Sequence, residues 1–303
     1  MILIKPITVT DSNLLSSSIA EPDATQGEPS LWSSGSYNLG DRVIENHRIY
    51  ECTADPDTTD QPSVGALKEI PTWVDIAPTN KFAMFDNVNS TTSKAASQIV
   101  VEIDDPLLIN GLAGFNISGA TSINIRVTDP VAGVVYDKNI SMVDNSEVVD
   151  WYSYYFSDIV QISQFLKLDL PAYVNAVVRL EINGTNIKIG TFVLGNQKNL
   201  GVANIGSSVQ LLDFSKKETD SFGNFVVKKG RNSKLVNYDV TINKSRVNYV
   251  FDLISSITTV PAVWIGADDS NDPSIVYGYY RDFQDNINSH TLTSATIQVE
   301  GLV

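Results

Sequence analysis

Through the middle of the chain, apolar residues recur at every second position, the period of a half-buried strand. Ile99, Val101 and Ile103 keep it, as do Ile123, Ile125 and Val127, then Val178, Leu180 and Ile182, then Ile187, Ile189, Thr191 and Val193. Turn-forming residues at Asp129-Pro130, Asn183-Gly184 and Gly195 fall between these runs and predict separate short strands. Residues 80–199 therefore read as a β-sandwich, jelly-roll-like in topology. After residue 200 the pattern changes. Val236, Tyr238, Val240 and Ile242 line one strand face, and the period then lengthens to that of a helix over 244–258, where Val247, Val250, Phe251 and Ile254 share a stripe. Pro261 ends it, and strands follow at 262–265, 275–283 and 292–300. A C-terminal α+β domain with one helix is expected for 200–303.

The N-terminal residues 1–27 open on MILIKPITVT, whose Ile2, Ile4 and Ile7 are too few for a core. They predict an arm, either a strand added to the edge of a later domain or an extension that docks on a neighbouring subunit. Residues 28–79 predict a small aromatic-rich β module. Asn38-Leu39-Gly40-Asp41 makes a turn, with Gly40 free to take positive φ and Asp41 bonding the backbone that follows. Strands at 42–45 and 48–52 flank a turn at Glu45-Asn46-His47, and 53–70 reads as a surface loop. So short a segment has little room for an aliphatic core. Trp32, Tyr37, Tyr50 and Trp73 are its efficient filling, at roughly 150–250 Å² of burial each.

The order Trp32, Tyr37, Gly40, Asp41, Val43, Tyr50, Cys52, Pro62, Trp73 resembles the small chitin- and cellulose-binding modules of bacterial chitinases and cellulases. The resemblance implies the fold more than the activity. Where those modules set exposed aromatic rings for sugar stacking, this chain has Thr53, Ala54 and Asp55. A further aromatic run, Trp151-Tyr152-Ser153-Tyr154-Tyr155-Phe156, reads as a strand. Alternation sends Trp151 and Tyr155 one way and Tyr152, Tyr154 and Phe156 the other. One face is expected in the core and the other against a neighbouring domain or subunit, although a stack of rings also suits a sugar.

Composition narrows the function. The chain has 303 residues, 43% hydrophobic and 18% charged, which is ordinary for a globular protein of two or three domains. A net charge of −14 argues against nucleic acid, which requires a cationic footprint. Lys216, Lys217, Lys228, Lys229, Arg231 and Lys234 gather in this acidic background, either as a solvated hairpin or as an assembly seam for an acidic partner. No run approaches the roughly eighteen apolar residues of a membrane span, and Lys5 and Pro6 interrupt the apolar N-terminus, so neither membrane insertion nor export is expected. Sequons beginning at Asn89, Asn116, Asn139, Asn183 and Asn243 then carry no glycosylation meaning. The one cysteine, Cys52, excludes an internal disulfide and reads as a small core residue.

Catalytic signals are missing. His47 and His290 fall in different predicted domains, and no zinc spacing, P-loop, dinucleotide fingerprint or nucleophile elbow occurs. Asp55, Asp57 and Asp60 lack the glycine and bidentate glutamate of a calcium loop, and Asp268, Asp269 and Asp272 read as a solvated acidic loop. No cofactor, metal or catalytic residue is expected.

Taken in order, the opening MILIKPITVTDSNLLSSSIAEPD, the Trp/Tyr module, PTNKFAMFDNVNSTTS and the closing SIVYGYYRDF and TIQVEGLV resemble a family of virion proteins from long-tailed bacteriophages. That resemblance runs along nearly the whole chain. It implies a non-enzymatic structural component of the tail, at the tail tip or baseplate, assembled in the host cytoplasm with other tail proteins and copies of itself. The alternative is a host-adsorption protein that holds a cell-surface glycan through the small module or the sandwich. A glycan hydrolase using paired carboxylates is a more distant third reading.

Overall fold

The structure, a computed structural model, describes residues 1–144, 148–156, 160–219, 223, 225–267, 272–286 and 291–302. The chain is mainly β, with large antiparallel sheets and, among the described residues, a single helix of seven or more residues. One sheet passes from Gly133–Ser141 through Gly111–Asp129, Val177–Asn199, Ile2–Pro6, Ala262–Ile265, Val276–Asn286 and Leu292–Gly301 to Asn232–Asn243. A β-sandwich-like core gathers Ile99, Val101, Ile103, Ile123, Ile125, Leu180, Ile182, Ile187 and Ile189, which are all fully buried. These are the residues that alternation assigns to the inward face.

The N-terminal strand Ile2–Pro6 is the joint of this sheet. Leu3 pairs with Lys198 on one side and with Trp264 on the other. Leu3 and Ile4 are both fully buried, and pleating points them to opposite faces. Leu3 packs with Met1, Val236, Tyr238 and Trp264, whereas Ile4 packs with Phe115, Val193 and Tyr277. The segment is therefore neither an edge strand nor a free arm. It is hydrogen-bonded to a strand on each side, which an edge strand is not, and both of its faces are covered by core residues.

The sequence also divides one strand into two. Val177–Asn199 runs unbroken for 23 residues through Gly184 and Gly195. A side chain at Gly184 would strike the Gly119 carbonyl, and one at Gly195 the Lys5 carbonyl. These glycines mark close backbone approach and are not turns. Opposite Gly184 the register shifts between Ser118 and Ser122, so the paired long strands bend there. Asp129-Pro130 does end a strand, and Gly133–Ser141 returns from it.

The C-terminal elements follow their pattern closely. Ala262–Ile265 is a strand, and Val276–Asn286 and Leu292–Gly301 pair antiparallel beside it. A 3-10 turn Lys244–Arg246 leads into the helix Val247–Ser255, with the Asn243 Oδ1 accepting the Ser245 N–H at 3.1 Å. Val250, Leu253 and Ile254 enter the core, each contributing about 1.5–3 kcal/mol of burial. Phe251, expected on the buried stripe, is partly open and meets Phe283 edge-on at 4.7 Å.

The small module is a three-stranded sheet of Arg42–Glu45, Arg48–Cys52 and Trp73–Pro78. Asn46 and His47, with φ of 50° and 64°, form its two-residue hairpin turn. Gly40 has φ +89°, as its turn requires, while the Asp41 carboxylate accepts the preceding Asn38 N–H at 2.8 Å and not a following one. The segment 53–70 is more ordered than a loop: Asp57–Thr58 pairs with Tyr37–Asn38, and Pro62–Gly65 forms one helical turn.

Candidate functional site

Within the module the rings point inward. Trp73 is fully buried, its Nε1 donates to the Asp60 carbonyl at 3.0 Å, and Tyr37 meets it edge-on at 5.3 Å. Tyr50 is buried with Val43 and Cys52, while Trp32 packs at the margin with its indole nitrogen buried and unpartnered. These four residues form a core and leave little ring face for stacking. The Asp60 carboxylate is held by Lys68 at 2.6 Å and Thr72 at 2.8 Å, which keep its pKa low, and Asp57 meets Ser36. Among the described residues no group of three or more His, Cys, Asp or Glu is placed to hold a metal. Asp268, Asp269 and His290 lie outside those residues, and Asp272 accepts the Ser274 N–H at 2.7 Å.

His47 does something its sequence position does not reveal. Its Nδ1 lies 2.9 Å from Glu21 and its Nε2 2.9 Å from Asp11, and the ring stacks on Phe82 at 3.7 Å. Beside it, Asn80 donates to Asp23 at 2.7 Å and to the Lys94 carbonyl at 2.9 Å. These polar groups tie the module to the N-terminal segment and to the sandwich-like core. The signal is long-range pairing, which local pattern does not carry.

The aromatic run differs most from expectation. Trp151–Phe156 is a short helix, not a strand, so its rings do not alternate between two faces. Neither half of it is in the core: Trp151 is 78% exposed, Tyr152 73%, Tyr154 64%, Tyr155 71% and Phe156 73%. The rings lean on one another instead. Trp151 meets Tyr154 at 6.0 Å and 78°, and Tyr154 meets Tyr155 at 5.3 Å and 86°. The result is an exposed apolar knob of mutually packed rings.

The basic residues lie in different surroundings. Lys216 and Lys228 stand opposite each other in the exposed hairpin of Lys216–Thr219 and Phe225–Lys228, with Lys229 exposed just beyond it. Lys216 pairs with Glu218 at 2.5 Å and Lys217 with Asp213 at 3.0 Å. Arg231 donates to Ser90 at 2.8 Å. Lys234 lines a cleft of about 290 Å³ together with Asn89, Asn116, Asn232, Leu211 and Tyr277. Those residues are scattered along the chain, so no motif announces the cleft. Compared with protein-family models, curated proteins and solved structures, the chain matches none.

Proposed function

We propose that this chain is a structural component of a bacteriophage tail, at the tail tip or baseplate, and that the helix Trp151–Phe156 docks it on a neighbouring tail protein. The exposed knob carries this reading. Large aromatic rings bury roughly 150–250 Å² each when covered, so five of them approach the roughly 800 Å² that one partner brings to a standard interface. Apolar patches of that extent mark interaction sites in soluble proteins. A short helix that presents exposed aromatic rings can seat them in the groove of a partner. The reading also draws on the resemblance of the chain to tail virion proteins, and no step of it involves catalysis.

The open rings Trp151, Tyr152 and Tyr154 also favour adsorption to a host glycan. That reading is carried less far, because edge-on contacts within the knob cover ring faces that a sugar would stack on. The test is to recover tails from phage carrying the parent chain or the Trp151→Ser/Tyr154→Ser double variant, and to quantify the chain in them by mass spectrometry. The parent is expected in every tail and the folded variant in few. Absence of the parent from purified particles overturns the proposal. Normal incorporation of the variant, together with lost sedimentation on host polysaccharide, transfers the knob to adsorption.

A further inference from the structure

The cleft around Lys234 supports an inference beyond tail assembly, and it shares no residue with the aromatic helix. Asn232 and Lys234 stand two apart on the strand Asn232–Asn243, so pleating puts them on the same face. Leu211 pairs directly with Lys234 from the neighbouring strand, and Asn89 and Asn116 supply the facing wall. That wall is fixed before any ligand arrives: Asn116 Nδ2 donates to the Asn89 carbonyl at 2.8 Å, and Thr191 Oγ1 donates to Asn89 Oδ1 at 3.3 Å. An asparagine amide has two donor hydrogens and two acceptor sites, so Asn116 retains capacity toward the cleft.

Lys234 is the unusual member. In a chain of net charge −14, none of the ion pairs among the described residues includes it. It is partly buried, and desolvation holds its ammonium below the usual lysine range, offset by the field of Asp272. A desolvated cation gains from a close anion. The volume, about 290 Å³, lies at the small end of ligand pockets and suits a single polar ring rather than a chain. One cation beside several side-chain amides matches a ligand with one carboxylate and several hydroxyls.

We propose that this cleft binds a sugar acid, with Lys234 meeting the carboxylate and the amides of Asn116 and Asn232 meeting the hydroxyls. The experiment titrates the intact chain with glucuronate, glucose and inorganic phosphate, followed by calorimetry. Glucuronate is expected to bind, and glucose about tenfold or more weaker, since the charge-assisted contact is lost. Lys234→Gln should weaken glucuronate by a similar factor, with Lys234→Arg keeping most of the affinity. Asn232→Ala, at an exposed position, should weaken it several-fold and serves if Lys234→Gln fails to fold. No glucuronate binding at tens of millimolar, or unchanged affinity in the folded variants, overturns the site. Equal binding of phosphate and glucuronate overturns the sugar assignment.

Discussion

Replacing Leu3 with alanine should destabilise the whole chain, although Leu3 lies only two residues from the N-terminus. Leu3 is fully buried, hydrogen-bonded strands flank it on both sides, and Trp264 stands directly across from it. Core Leu→Ala changes cost about 2–5 kcal/mol, part from lost transfer energy and part from the cavity left behind. Strands locked on both sides limit collapse of that cavity, which favours the upper part of the range. With a urea slope of about 3 kcal/mol per molar, a loss of about 4 kcal/mol moves the midpoint by about 1.3 M. The assay is equilibrium urea unfolding of the intact chain, followed by far-ultraviolet circular dichroism and by tryptophan fluorescence. Leu15→Ala, at a residue 55% exposed in the same N-terminal stretch, is the control and should stay within about 0.5 kcal/mol of the parent. A Leu3→Ala midpoint as close to the parent as that control would refute the joint and return the strand to a free arm.

Two further outcomes are expected. Gly40→Val should lower stability by about 1 kcal/mol or more in a thermal melt, since φ of +89° strains a β-branched residue although a new Cβ meets nothing within 4 Å; Gly40→Asn should cost less. Asp23 should contribute acid sensitivity: burial pushes its pKa up, but hydrogen bonds from Thr25 and Asn80 outweigh this and hold it below 3.8. A depressed carboxylate lends stability above that value and loses it as pH falls toward the folded pKa. Asp23→Asn should therefore flatten the stability profile below about pH 4, measured by urea midpoints across the acid range, and an unchanged profile would count against it.

What the sequence reveals of this fold is its periodicity. Ile99, Val101 and Ile103 alternate because one side of their strand meets the core, and that cause acts locally, so the pattern shows it. The helix Val247–Ser255 is legible for the same reason. What is not legible depends on distant partners. Gly195 reads as a turn until the Lys5 backbone is seen against it, nearly two hundred residues away in sequence. Of the candidate sites, the inward rings Tyr50 and Trp73 follow from local packing, whereas the cleft around Lys234 joins strands that no spacing connects. The run Trp151–Phe156 reads as a strand and is a helix, because short apolar runs carry no period long enough to separate the two.

The placement of apolar surface bears on how such a chain meets a neighbour. A sheet can extend across a subunit boundary only through an open edge, and natural edges are blunted by charge. Among the described residues Gly133–Ser141 pairs on one side only, and it carries Asp137 and Lys138, with Asp137 fixed by Arg126 at 2.9 Å and by Asn124 at 2.8 Å. Adding a strand there would set a partner chain against a charged, solvated row. The knob at Trp151–Phe156 sets no such condition, because what it presents to a partner is a cluster of exposed aromatic side chains and not an open strand edge. Association through the knob should therefore respond weakly to salt, since screening acts on charge and not on apolar burial. Tail incorporation that collapses at moderate ionic strength would point instead to the hairpin lysines Lys216 and Lys228 as the contact.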